Sequence, residues 1–188
     1  DGGSQDRTLE IAIRAGAAIA AGQSGRGGQL RLGAKWSGDC TWLLFLHSDS
    51  RLPDGWERSA ARHIEQFPDA AGYFDLCFDS RKFSARILEA LVRIRCKVFG
   101  LPYGDQGLLI SKALYGAVGG YPEIPLFEDV ALIRALGKRR IRRLGLPLTT
   151  SADKYERGGF YRRGWRNFRL LRRYLKGEAP EELLKAYR

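Results

Sequence analysis

The residues of this chain best suited to chemistry are carboxylates at the ends of short apolar runs. Asp49 follows Trp42-Leu43-Leu44-Phe45-Leu46-His47-Ser48, a run that reads as a buried strand and breaks at Pro53-Asp54-Gly55. In open α/β sheets ligands gather at the carboxyl ends of strands, which puts Asp49 where a metal or a substrate group would sit. Capping a helix that starts near Pro53 is the alternative use of the same side chain. Asp105 stands in Tyr103-Gly104-Asp105-Gln106-Gly107; a carboxylate there either faces a ligand or stabilises its own turn. Glu128-Asp129 opens an apolar helical run to Leu136. The pair supplies either a general base or the negative charge that a helix N-terminus favours. Gly25-Arg26-Gly27-Gly28-Gln29 is a glycine-rich turn entering a helix, where backbone N–H groups can approach an anion and Arg26 adds charge. No Gly-Lys-Ser/Thr follows, so it is not a Walker sequence.

Hydrophobic periodicity predicts the elements that must hold these groups. Ser4 or Asp6 caps a helix to about residue 15, residues 17–21 form a short strand, and the glycine-rich turn opens a helix to about Trp36. A helix over 53–67 has Pro53 in its first turn, and 71–78 alternates as a strand. Residues 82–99 carry Phe83, Ile87, Leu88, Leu91, Val92, Ile94 and Val98 at helical spacing, which reads as a core-facing stripe. A strand over 108–110 and a helix over 112–118 follow, closed by Gly119-Gly120. Pro122 and Pro125 extend the loop that leads to Glu128. Two short strands at 141–146 and 148–150, a basic aromatic helix or helix pair at 158–176, and a terminal helix at 180–187 complete the chain.

Composition narrows the class. The chain has 188 residues, 44% hydrophobic and 11% aromatic, which suits one globular domain with a real core. No apolar run approaches the roughly 18–20 residues that cross a bilayer. Cys40, Cys77 and Cys96 are odd in number and lack ligand spacing, against a disulfide framework or zinc site and in favour of a reducing compartment. The net charge of +11 is concentrated: 138–176 holds 14 Lys/Arg against Asp153 and Glu156. Such a block is either a solvated helix face or a surface for an anionic partner: phosphate, nucleic acid or membrane. The chain contains no Met and opens on a turn, Asp1-Gly2-Gly3-Ser4, so it is expected to be the C-terminal portion of a longer domain.

In order, the motifs are Asp-Gly-Gly-Ser-x-Asp, Gly-Arg-Gly-x-Gln, Leu-Leu-Phe-Leu-His-x-Asp, Tyr-Gly-Asp-Gln-Gly, Gly-Gly-Tyr-Pro and Glu-Asp at a helix start. This series resembles the family-2 glycosyltransferases of GT-A fold, especially a bacterial subgroup with His-x-Asp in place of Asp-x-Asp. The resemblance implies an α/β fold with a mostly parallel, Rossmann-like sheet flanked by helices. It divides the chain into a partial catalytic domain, 1–150, lacking the family's first strand–helix–strand unit, and a basic helical extension, 151–188, packed on it. It implies sugar transfer from a nucleotide-diphosphate sugar to an acceptor hydroxyl, with inversion and with a divalent metal, Mg²⁺ or Mn²⁺. By the same resemblance Asp129 is the general base and Glu128 its neighbour. Asp1, Arg26, His47 and Arg157 attend the nucleotide and diphosphate, Asp49 holds the metal, and Asp105 and Gln106 lie on the acceptor side. His47 replaces the family's first Asp and either touches the metal or diphosphate or packs at the strand end. Arg31 stands where the family shows Asn. For the basic block two roles stay open: Arg157, Arg162 and Arg163 close over the diphosphate, or Arg166, Arg169, Arg172 and Arg173 with Trp165, Phe168 and Tyr174 lie on an anionic membrane surface, which would make a cytoplasmic protein peripheral at the inner face of the membrane. Two other readings use the same residues: a nucleotidyltransferase on the same fold, and a non-enzymatic nucleic-acid-binding module built on the basic block.

Overall fold

The strand Ala71–Phe78 lies at the centre of the sheet, and nearly every side chain along it is buried. The computed structural model describes residues 1–22 and 25–187. Numbered in chain order, the strands are β1 (Trp42–Phe45), β2 (Ser50–Arg51), β3 (Ala71–Phe78), β4 (Leu108–Ser111) and β5 (Ile141–Thr150), arranged β1-β4-β3-β5-β2. The helices are α1 (Thr8–Arg14), α2 (Arg26–Lys35), α3 (Trp56–Gln66), α4 (Phe83–Phe99), α5 (Lys112–Ala117), α6 (Glu128–Leu136), α7 (Asp153–Gly158), α8 (Phe160–Leu175) and α9 (Pro180–Tyr187). α4 packs on β3, α3 on β5, α5 on β4, α2 on α6, and α8 on α4.

The sheet is mixed, where a mostly parallel one was expected. β3 and β5 run parallel, while β1–β4, β3–β4 and β2–β5 are antiparallel. Apolar runs report burial on both faces but carry no direction, so they do not distinguish a parallel strand from a buried antiparallel one. Residues 17–21 form no strand. The segment meets the first residue instead: the Asp1 nitrogen donates to the Ala20 carbonyl at 2.7 Å, and just beyond it Gly22 N–H donates to the Asp1 carbonyl at 3.0 Å. The two segments expected at 141–146 and 148–150 are one strand, bulged between the pairings Tyr73–Arg143 and Asp75–Pro147. Pro147 brings no N–H to a ladder, and Gly145 takes φ 81° in the bulge. Arg143 straightens the register beside it by gripping Asp75 with two bonds, 2.6 and 2.5 Å. A bidentate guanidinium–carboxylate pair gives the buried Asp75 a partner for each of its oxygens and fixes their direction.

On α4 the residues that face the sheet are Ala85, Glu89, Val92 and Cys96. Leu91, Ile94 and Val98, expected in the core, are exposed. The apolar surface of this helix is wider than the face the sheet can cover. Buried Glu89 is satisfied: it accepts the Phe78 N–H at 2.7 Å and pairs with Arg86 at 2.9 Å.

One glycine decides how α2 sits. Gly27 is buried against the loop before α6, and a Cβ there would collide with the Pro122 carbonyl oxygen and crowd Glu128 Cβ at 3.3 Å. Gly33, in the same helix, has open space where its Cβ would go. Helix propensity alone favours Ala over Gly by roughly 0.5–1 kcal/mol at either position. Gly33→Ala is therefore expected to stabilise the protein by about that amount in urea unfolding. Gly27→Ala should instead destabilise it by about 1–3 kcal/mol, the usual cost of overpacking.

Candidate active site

The site forms where β1 ends. Leu46 and His47 leave the strand, and a turn closes with Ser50 N–H donating to the His47 carbonyl at 3.1 Å. β2 then pairs with the end of β5, and Ser151 N–H bonds the Asp49 carbonyl at 3.2 Å. This fastens the backbone of Asp49 and leaves its carboxylate exposed, with no hydrogen bond to it among the described residues. Asp49 does not cap α3: that helix starts at Trp56, after Gly55 in the left-handed conformation, and no side chain caps it.

α6 supplies the carboxylates. The proline-braced loop ends at Phe127, a non-glycine residue with φ 65°, stacked on Tyr174 of α8 at 4.9 Å. A bulky side chain in that region is unfavourable by of order 1–2 kcal/mol and persists only where its surroundings hold it. The stacking holds it here, and the turn delivers Glu128 and Asp129 as the first two residues of the helix. Glu128 is buried and pairs with Arg26 Nε at 3.2 Å. Burial pushes its pKa up, the neighbouring Asp129 adds to the rise, and Arg26 opposes it. The Asp129 carboxylate accepts the Gly104 N–H at 2.7 Å and its neighbour Val130 N–H at 2.7 Å.

Gly104 joins the two halves. A Cβ on it would lie 2.5 Å from His47 Nε2 and 3.4 Å from Asp129 Oδ2, so only glycine lets the imidazole and the carboxylate close on the same peptide. His47 bonds the Arg26 guanidinium through Nε2. Arginine has donors only, so the ring nitrogen it meets acts as the acceptor, as a neutral imidazole can. Burial first, and the Arg26 charge second, lower its pKa to about 4. His47 thus packs at the strand end and orients Arg26. Leu30, Phe45, Tyr121, Glu128 and Asp129 line a small cavity with it.

Asp105 sits one residue on from Gly104, with Oδ1 buried and unpartnered. Burial chiefly raises its pKa to about 6; Arg95 opposes this, and Asp129 adds to it. Gln106, expected on the acceptor side, instead points into the core, 1% exposed. Its amide donates to the Phe74 carbonyl at 3.0 Å, and its oxygen accepts from Tyr103 N–H at 3.3 Å and Arg95 at 3.1 Å. It holds the turn that aims Asp105. Arg157 is exposed and pairs with Asp153 along its own helix at 2.9 Å. The Asp1 carboxylate closes its own turn on Gly3 N–H, Ser4 N–H and Ser4 Oγ. Neither Arg157 nor Asp1 bonds to Arg26, His47 or the carboxylates among the described residues. Arg31 ties α2 to the loop before α6, donating to the Tyr121 carbonyl at 3.2 Å. Sequence reading did not single out Gly104, Phe127 or Tyr174 as parts of the site. A glycine flanking Asp105 was the one signal in view; the left-handed Phe127 had none.

No family model and no curated sequence matches the chain. Solved structures do. The chain is similar to glucosyl-3-phosphoglycerate synthase from Mycobacterium tuberculosis in complex with phosphoglyceric acid, at a TM-score of 0.54 and 18% identity. The match covers 88% of this chain and 65% of that one. A complex of the same enzyme with Mn²⁺, UDP-glucose and phosphoglyceric acid matches at 0.52 and 19%, covering 88% and 64%. A third, with Mn²⁺, UDP and glucosyl-3-phosphoglycerate, matches at 0.52 and 18%, covering 89% and 65%. The fold is of the GT-A type: a curled mixed sheet flanked by helices. The chain spans just under two-thirds of the length of these neighbours.

The Asp105 titration gives a signed expectation. A carboxyl whose folded pKa is raised binds its proton more tightly when folded, so it contributes stability below its unfolded value of 3.8 that is lost as pH rises through about 6. Asp105→Asn removes that dependence. The stability difference, wild type minus variant, should fall steadily from about pH 4 to about pH 6 and stay flat above about pH 7, read by chemical unfolding at stepped pH.

Proposed function

We propose that this chain is the catalytic part of a glycosyltransferase that moves a sugar from a nucleotide-diphosphate sugar to an acceptor hydroxyl, with inversion, in the manner of family 2. The observation that carries the reading is the Asp129 carboxylate. It is half-buried and fixed by the Gly104 N–H at the mouth of a cavity shared with His47 and Arg26. A carboxylate aimed in this way takes the proton of an acceptor hydroxyl as that oxygen attacks the sugar carbon from the face opposite the leaving diphosphate. Arg26, half-exposed and already oriented by Glu128 and His47, is set to meet a diphosphate without losing further side-chain freedom. The ligands of the M. tuberculosis neighbours, UDP-glucose and Mn²⁺, support a nucleotide-sugar donor and a divalent metal.

The residues present fit such a metal. Asp49 offers an exposed, unpartnered carboxylate, and the described residues contain no cluster of three or more side chains that would form an all-protein cage. That donor set suits Mg²⁺ or Mn²⁺ held by one carboxylate with substrate phosphate oxygens. Asp49 would hold the ion, which when bound supplies charge neutralisation at the donor diphosphate. Asp105, partly buried, with Oδ1 unpartnered and its pKa raised chiefly by burial, would offer a hydrogen-bonding group from the acceptor side of the cleft.

Two variants separate the roles. Asp129→Asn is expected to lower kcat by about 10²–10⁴-fold while donor affinity changes less than about twofold, measured by turnover and calorimetry. Full activity in that variant sinks the base assignment. Asp49→Ala should abolish the rise in unfolding temperature that Mn²⁺ and a nucleotide sugar produce together. If no nucleotide sugar stabilises the wild-type protein, the donor class is wrong. The anomeric configuration of the product, read by proton NMR, decides inversion.

A further inference from the structure

We propose that α4 and α8 together form a docking face for an anionic lipid bilayer, independent of the transfer chemistry. α8 spans 16 residues, carries six arginines and has no acidic residue. Arg173 pairs with Glu178, and Arg163 and Arg166 lie over the rings of Tyr155 and Tyr187. Arg162, Arg169 and Arg172 are exposed and make no ion pair among the described residues. Beside them Tyr161, Trp165 and Phe168 are 63%, 62% and 47% exposed. Their i, i+4, i+7 spacing puts them on one stripe of the helix.

The second half of the face is on α4, where Leu91, Ile94 and Val98 are 56%, 56% and 52% exposed. The two stripes are neighbours. The α4–α8 contact passes through Gly164, whose Cβ would stand 3.2 Å from Leu88 Cδ1. One turn from Gly164 on either side are Tyr161 and Phe168, and one turn from Leu88 is Leu91. The outward surface flanking this contact is therefore apolar on both helices, with free arginines along its α8 side. A helix pair exposing this much aromatic and aliphatic surface marks an interaction face.

Chemistry selects the occupant. Arginines beside interfacial aromatics match an anionic headgroup layer over hydrocarbon. A single nucleic-acid strand would stack on the aromatics but has no use for Leu91, Ile94 and Val98. A second copy docked on the same face would bring two acid-free arginine helices together, at an electrostatic cost.

The test is co-sedimentation of the full chain with vesicles of phosphatidylcholine alone and of phosphatidylcholine mixed with phosphatidylglycerol. Wild type should bind the mixed vesicles and leave the neutral ones in solution. Trp165→Ser with Phe168→Ser, and separately Leu91→Ser with Ile94→Ser, should each weaken binding about tenfold or more. Circular dichroism should stay unchanged, since every substituted residue is exposed. Quenching of tryptophan emission by brominated lipid in the wild type is expected alongside. The proposal is overturned if wild type ignores anionic vesicles, or if the Leu91/Ile94 variant binds as wild type does. It is equally overturned if the chain self-associates through these residues in sedimentation, or prefers a single-stranded oligonucleotide to the vesicles.

Discussion

One backbone amide holds the candidate site together. Gly104 N–H points at Asp129, and the bare Cα of Gly104 lets the His47 ring close on the same peptide. Three distant segments meet there: the end of β1, the turn before β4 and the start of α6. Each is anchored separately. The β1 end is tied to β5 through Ser151, the turn is filled from within by Gln106, and α6 is set by the left-handed Phe127 against Tyr174. A carboxylate held by backbone N–H groups at a helix start is fixed in direction without a second side chain that would have to move when substrate arrives.

Charge in the site is arranged in layers. Glu128 is buried and its charge is answered by Arg26; a second nitrogen of Arg26 meets a histidine kept neutral by burial and by the same guanidinium. Asp129 is left with backbone partners, and Asp49 with none among the described residues. Asp49 and Asp129 thus have no cationic partner among the described residues, while Arg26 stands half-exposed at the same site. A site of this kind gains from a cation and a polyanionic donor arriving together, since each offsets the charge the other brings.

The C-terminal segment serves the site as well as the surface. Tyr174 braces Phe127 from α8, while Phe160 and Tyr155 pack on Phe78 at the end of β3. α8 therefore has an inner face committed to the loop that launches α6 and an outer face of arginines and aromatics. The two faces carry separate constraints, so the outer one is free to specialise.

Much of this was legible in the residue order. β3 over 71–78 and α9 over 180–187 follow from alternation and from Pro180 as a helix start, and α6 begins on the acidic pair. Asp49, Asp105 and Asp129 were legible as candidates because each ends an apolar run or opens one. Strand direction was not, because a doubly buried strand has the same pattern either way. Nor was the outward turn of Leu91, Ile94 and Val98, since helical spacing fixes which side chains share a face but not which face the sheet covers. Gln106 looked like a site residue and proved to be a core brace; Gly104 looked like a turn residue and proved to be the contact. Residue types set which groups could ionise, coordinate or bend the chain. Which carboxylate met which amide was decided only when β1, β4 and α6, remote in sequence, were packed to within a hydrogen bond of one another.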